Sequence, residues 1–213
     1  SEYNSKNKIS KSQSPIFAIY NYNVTHESGM WKRDKEELKV NPNDLKIIPP
    51  IFPDDSIVRH SLAVNYSNLI EMDRQVGKLI DHLKQEDIYD DSYIFFYSDH
   101  GGPFPRHKRA IYETGTKVPF FVKLPTGTKE KVDTNQFLSF VDFAPTVLSI
   151  AGINIPSFQQ GKPFLGKYKD ESKREYLFTS SDRFDEHPDR IRAVRGEKYK
   201  YIRNYFPENS HAL

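Results

Sequence analysis

From Tyr93 to Leu124 the chain reads Tyr-Ile-Phe-Phe-Tyr-Ser-Asp-His-Gly-Gly-Pro-Phe-Pro-Arg-His-Lys-Arg-Ala-Ile-Tyr-Glu-Thr-Gly-Thr-Lys-Val-Pro-Phe-Phe-Val-Lys-Leu. Two apolar runs, Tyr93 to Tyr97 and Phe120 to Val122, flank a polar loop, and each reads as a strand buried on both faces. Asp99 and His100 fall where the first strand should end, and Gly101 and Gly102 let the backbone turn sharply beside a ligand. In open α/β sheets ligands bind outside the carboxyl ends of the strands. A carboxylate and an imidazole placed there can share a divalent cation, and Lys108 can bring a positive charge toward an anion on it. Taken alone, an Asp-His-Gly after a strand is more often only a turn, with the Asp bonding nearby backbone N–H groups.

Around this stretch the chain alternates helix and strand signals. Ile16 to Tyr22 is an apolar-aromatic run of strand length, with His26 just beyond it, and Ser1 to Ser14 is a polar lead-in. Pro42, Pro49, Pro50 and Pro53 exclude a long helix between Trp31 and Asp55, which reads as an extended surface loop. Asp55 or Ser56 can cap a helix running to about Gln85, whose stripe is Leu62, Tyr66, Leu69, Ile70, Val76, Leu79, Ile80 and Leu83. Glu71, Asp73 and Arg74 on that helix read as solvated or locally ion-paired. An acidic turn then leads into the Tyr93 strand, a helix followed by a parallel strand.

Beyond the second strand, Leu138 to Ala151 returns to helical spacing, with Asp142 as a cap, Pro145 in the first turn and Gly152 at the stop. Pro156 to Asp170 reads as a linker. The remainder breaks into short strands at Glu175 to Thr179, Ile191 to Arg195 and Lys198 to Tyr205, with Gly196-Glu197 as a two-residue type II′ turn. Six basic residues against one acidic residue lie between Arg190 and Arg203, which predicts one positive face on a small antiparallel sheet. Such charge also suits edge strands that must not aggregate.

Composition narrows the function. A charged fraction of 28% and a mean hydropathy of -0.71 leave no membrane span, and a net charge of +2 gives no reason to expect nucleic acid as a partner. There is no cysteine, so a disulfide, a thiolate metal site and a cysteine nucleophile are all excluded from these 213 residues.

Ser98-Asp99-His100-Gly101, the basic Lys108 and Tyr112-Glu113-x-Gly115-Thr116-x-Val118-Pro119, in that order, resemble the sulfatase family of the alkaline phosphatase superfamily. The Pro103-Phe104-Pro105 insert looks most like the branch that includes heparan N-sulfatases. Pro15-Ile16-Phe17 through His26, Ile48-Pro49-Pro50-Ile51-Phe52-Pro53-Asp54, the Ser139 to Gly152 helix and Gly161 to Leu165 are similar to further family segments. The resemblance implies an alkaline-phosphatase-like α/β sandwich with a mixed or parallel central sheet. Residues 1–165 would then be the C-terminal part of the catalytic domain, and 166–213 a small antiparallel-sheet subdomain.

For chemistry, the resemblance implies hydrolysis of a sulfate ester or sulfamate on a sugar such as a glycosaminoglycan. Asp99 and His100 would hold one calcium ion, zinc or manganese being the alternatives an imidazole also suits. Lys108 would hold sulfate oxygens, and His26 would contact the sulfate or protonate the leaving group. Arg106 and His107, and more distantly Arg183, Asp185 and His187, would contact substrate. The family's nucleophile is a formylglycine made within a Cys/Ser-x-Pro-x-Arg motif, which these residues lack. The expectation is therefore a piece of a longer enzyme, inactive without its N-terminal part, and by resemblance periplasmic, secreted or lysosomal. Two other readings remain open: a phosphoesterase on the same scaffold, and a non-catalytic module that binds anions or glycans.

Overall fold

The computed structural model describes residues 15–33, 37–132, 135–184 and 186–209. The lead-in at 1–14 and Asp185 lie outside them. The chain divides into two compact units, one of residues 1–97, 102–105 and 120–126, the other of residues 98–101, 106–119 and 127–213.

The first unit is built on α2, Ser56–Gln85. The Asp55 carboxylate accepts hydrogen bonds from the N–H groups of Ile57 and Val58, at 3.0 and 2.9 Å, and so caps two of the helix's open donors as its sequence predicts. The buried face differs from the expected stripe. Leu62, Ala63, Val64, Ser67, Asn68 and Leu83 are buried, whereas Tyr66, Leu69 and Ile70 are exposed. The reason is polar: Ser67 Oγ donates to Ala63 O at 2.8 Å and accepts from Lys39 N at 3.0 Å, so this hydroxyl is satisfied inside.

The proline-punctuated segment is also held to α2. Arg59 donates to the carbonyls of Pro42 and Leu45 and pairs with Asp54. The segment contains structure that its prolines do not forbid, a one-turn 3-10 helix at Pro42–Asp44, and it follows the short helix α1, Ser28–Arg33. Glu71 is locally ion-paired, accepting from Arg74 and from Lys39 at 3.0 Å. Hydrogen bonds from Arg74 and then Lys39 hold its carboxyl far below the ordinary carboxylate range. Near the exposed middle of α2, Gly77 has no heavy atom within 4 Å of where a Cβ would stand. Gly77→Ala should therefore stabilise the protein by about 0.5–1 kcal/mol through helix propensity, read as a rise in the thermal unfolding midpoint.

Strands β1, Ile94–Tyr97, and β2, Phe120–Lys123, pair antiparallel, with Ile94 opposite Lys123 and Tyr97 opposite Phe120. The antiparallel pairing is compatible with the mixed or parallel sheet expected. The chain between them carries only a four-residue helix, α3, Glu113–Thr116, so it returns without the long crossover that a parallel neighbour needs. Nor are these strands buried on both faces, since Phe121 is 64% exposed. Ile16 to Tyr22 joins no ladder among the described residues. Lys123 Nζ closes this part of the unit, donating to the carbonyls of Tyr89, Asp90 and Ser92 in the turn before β1.

The second unit is centred on a 3-10 turn, Phe140–Asp142, continuing into α4, Phe143–Ile150. Ser139 and Asp142 form a reciprocal capping box. The stretch expected as a linker is instead core: Phe164 and Leu165 are buried, because Phe164 N donates to Thr146 Oγ1 and Tyr168 N to Ser149 Oγ on α4. Gly152 and Gly166, with φ of 70° and 83°, let the chain leave α4 and fold back along it.

The second unit ends in an antiparallel sheet of β3, Leu177–Phe184, β4, His187–Arg195, and β5, Lys200–Asn204. The turn between β4 and β5 has four residues rather than two, closed by Gly196 N donating to Tyr199 O at 2.9 Å. The register sets Arg195 opposite Lys200, and Gly196 lacks the positive φ that a type II′ turn requires. Alternation along β4 also divides the basic residues between the two faces: Arg190 and Arg192 share one, Arg195 the other. On β5, Arg203 stands opposite Arg192 and Lys200 opposite Arg195, so three of these basic residues share one face and two the other.

Candidate active site

Ser98 Oγ donates to the carbonyl of His100 at 2.6 Å, tightening the turn that follows β1. Within that turn His100 Nδ1 lies 2.7 Å from Gly101 O. A carbonyl can only accept, so Nδ1 carries the proton, and the neutral ring presents the lone pair of Nε2. That nitrogen is 3.6 Å from Asp99 Oδ2. Two donors so spaced can both touch one cation at the roughly 2.0–2.6 Å typical of nitrogen and oxygen ligands. Asp99 is also 84% exposed in its side chain, so its carboxylate is open to further contacts. Among the described residues no cluster of three or more His, Asp or Glu gathers for a metal, so this pair fits part of a coordination shell.

The turn is locked from behind by α3. Gly101 N donates to Gly115 O at 3.0 Å. A Cβ on Gly101 would stand 1.8 Å from Thr114 O, and one on Gly115 would stand 2.0 Å from Ala110 O and 2.3 Å from His107 O. Both positions therefore admit only glycine, for close approach and not for an unusual φ.

The same helix holds the loop that carries Lys108. Thr114 Oγ1 donates to Arg106 O, Ala110 N donates to His107 O at 3.1 Å, and the Arg106 guanidinium stands 6.0 Å from the Tyr112 ring centre. Arg106 and Arg109 have φ of 65° and 70°, a left-handed conformation that is strained for a side chain of that size. His107 and Lys108 are half-buried and Arg106 is exposed. The Asp99-His100 turn and the loop carrying Arg106, His107 and Lys108 are thus both held at their backbones to α3.

His26 belongs to the first unit. Its Nδ1 accepts from Ser28 N at 3.2 Å and lies 2.9 Å from Ser28 Oγ. The neutral ring then carries its proton on Nε2, a donor where His100 offers an acceptor. Arg183 and His187 sit at the exposed tip of the β3–β4 hairpin rather than in a loop before the sheet, and Arg183 approaches Glu186 at 3.6 Å.

A network that the sequence does not advertise lies behind α3. Glu113 accepts from Arg195 Nε at 3.4 Å and pairs with Lys200 Nζ at 3.2 Å, while Lys200 Nζ also donates to Thr116 Oγ1 at 2.9 Å. Burial alone would raise the Glu113 carboxyl, but hydrogen bonds from Lys200 and then Arg195 outweigh it and hold the group below its ordinary value. The only signal in the sequence was an acid in the Tyr-Glu-x-Gly-Thr segment and two bases flanking a hairpin turn far downstream.

Comparison with known proteins bears on this assembly. The sulfatase family model matches residues 4–153, and the model described as N-sulphoglucosamine sulphohydrolase, C-terminal, matches 102–213. The chain is 37% identical to an ulvan-active sulfatase of Formosa agariphila over 93% of its own length and 39% of that protein's. It is 31% identical to human N-sulphoglucosamine sulphohydrolase over 62% of its own length and 26% of that protein's. It therefore spans about two fifths or less of these relatives. Among solved structures, the putative sulfatase YidJ of Bacteroides fragilis superposes with a TM-score of 0.62 at 22% identity, over 83% of this chain and 40% of that one. At that identity the likeness speaks for the fold, an α/β fold of the alkaline-phosphatase-like kind.

Proposed function

The chain belongs to the sulfatase family, and from that premise we propose that it supplies the cation-binding and anion-binding half of a hydrolase acting on sulfate esters or sulfamates of sugars. The observation that carries the reading is the convergence of Asp99 Oδ2 and His100 Nε2 on a turn that Gly101 and Gly115 lock in place. Asp99 and His100 would hold a calcium ion, which when bound would supply positive charge for the sulfate group. Lys108 adds a second positive charge for those oxygens, and the charge that grows on the leaving atom is stabilised by groups already in place. His26, with its proton on Nε2, donates to the sulfate or to the leaving oxygen or nitrogen. Arg106 and His107 flank the site and contact the sugar, as do Arg183 and His187 at the hairpin tip.

The nucleophile, a formylglycine, comes from outside these 213 residues, and so does the remainder of the calcium shell. On this reading the chain turns over no sulfated sugar unless it is joined to that N-terminal part. The two relatives described above act on ulvan and on N-sulphoglucosamine by name, which supports a sulfated carbohydrate as the substrate class.

The test is sulfate release from N-sulfated and O-sulfated glucosamine by the intact enzyme, with a phosphate monoester as the competing substrate. Lys108→Ala should lower kcat/KM by about a hundredfold or more, and Asp99→Ala should weaken calcium binding in a direct titration. Turnover of the phosphate ester in preference to both sulfated sugars, or full sulfate release by Lys108→Ala, would overturn the assignment.

A further inference from the structure

Helix α3 touches both loops of the site, and the remaining question is what fixes α3 itself. Its backbone accepts the Gly101 amide through Gly115 O, and its Thr114 hydroxyl holds the carbonyl of Arg106. A single turn of helix has no rigidity of its own, because nucleation is unfavourable at so short a length. Its first residue, Glu113, is gripped by Arg195 from β4 and Lys200 from β5, and Lys200 reaches its last residue, Thr116, as well. Both ends of the turn are thus fastened to one rung of a three-stranded sheet, the rung where Arg195 faces Lys200.

Resting on the sulfatase reading above, we propose that Glu113 is a positioning residue, which uses the β4–β5 rung to set α3 and through it the Asp99-His100 turn and the Lys108 loop. The role differs from that of an ordinary surface ion pair, whose contribution is small. Lys200 and Arg195 are only 10% and 24% exposed in their side chains, so removing the carboxylate leaves two largely sequestered cations without their counter-charge, Lys200 keeping only the Thr116 hydroxyl. Arg195 cannot simply turn elsewhere, since its guanidinium stacks 5.4 Å from the Phe137 ring centre. The shift would therefore fall on the softer partner, α3. Its two loops move with it, and a misplacement of about 1 Å at a reacting centre can lower a rate by about a hundredfold.

The experiment uses the intact enzyme and two variants, Glu113→Gln and Lys200→Met, which break the grip from opposite sides. Hydrogen exchange is followed in the peptide spanning residues 98–102, which contains the Gly101 amide, beside kcat, KM and the denaturation midpoint. Exchange there should accelerate about tenfold, the change that loss of a charged hydrogen bond of about 1.5 kcal/mol produces. In both variants kcat should fall about tenfold or more with KM within about twofold of wild type, as for groups that act on the transition state, and the unfolded fraction should stay negligible. Unchanged exchange at 98–102, faster exchange with unchanged kcat, or a kcat loss matched by lost folded protein would each overturn the proposal. If Glu113→Gln does not fold, Lys200→Met decides, and failure of both to fold assigns Glu113 to stability alone. A wild-type enzyme that turns over no sulfated sugar would sink the sulfatase reading separately, and exchange at 98–102 would still judge the grip on α3.

Discussion

Replacing Asp142 with alanine should destabilise the second unit by about 3–5 kcal/mol, the usual penalty for removing one partner of a buried ion pair. The side chain is 1% exposed and serves three donors. Its Oδ2 accepts from Ser139 N at 2.8 Å, while its Oδ1 accepts from Lys162 N at 2.8 Å and from Arg174 Nη2. Alanine would orphan all three, including a guanidinium that is only 19% exposed. The informative companion is Asp142→Asn, which keeps the shape. An amide offers one oxygen and one NH2 group, so one set of donors would face a donor, and the variant should recover less than half of the loss. Urea unfolding of both variants reads the effect as a lower midpoint. An Asn variant as stable as wild type would show that shape, not the second acceptor, holds the 3-10 turn to the Lys162 and Arg174 segments.

Asp142 also marks how far the sequence could be read. Its place at the start of a helix was legible, because capping signals are local: Ser139 and Asp142 lie three residues apart and Gly152 sits at the stop. The same holds for Asp55 at the head of α2, and for a turn at Asp99, His100 and Gly101 following an aromatic strand. Asp142's second duty, on Lys162 and Arg174, was not legible, since those partners lie 20 and 32 residues away. Glu113 and Arg195 meet across 82 residues, and no periodicity records such a pair.

Two departures of the structure from the sequence pattern share a cause. Leu69 and Ile70 belong to the apolar stripe, yet the structure exposes them and buries Ser67 and Asn68 instead, since a buried hydroxyl or amide is acceptable once it is bonded. Likewise Phe164 and Leu165 fall in a stretch whose glycine and prolines suggest a linker, yet backbone N–H groups donating to Thr146 and Ser149 make that segment core. Side-chain acceptors inside α4 are invisible to a count of apolar residues. The roles proposed for Asp99 and Lys108 rest on motif order, which does not say what holds those residues in place.

Gly101→Ala should abolish most turnover of the intact enzyme, by about a hundredfold or more, with far less effect on global stability. The new methyl would stand 1.8 Å from Thr114 O and 2.8 Å from the carbon that bears it, and both are backbone, so no side-chain rotation can make room. Either the Asp99-His100 turn or α3 must retreat by more than 1 Å, and the 3.0 Å bond from Gly101 N to Gly115 O is stretched or lost. Asp99 and His100 leave their shared approach with the turn, so calcium affinity should fall together with kcat. Isothermal titration with calcium separates the causes: lost turnover with wild-type affinity would place the damage in α3 and the Lys108 loop and not in the Asp99 turn. Gly77→Ala is the matched control, adding the same methyl where nothing stands within 4 Å. If both alanines left turnover unchanged, the tight packing of Gly101 against α3 would have no part in catalysis, and the turn could be rebuilt without regard to its neighbour.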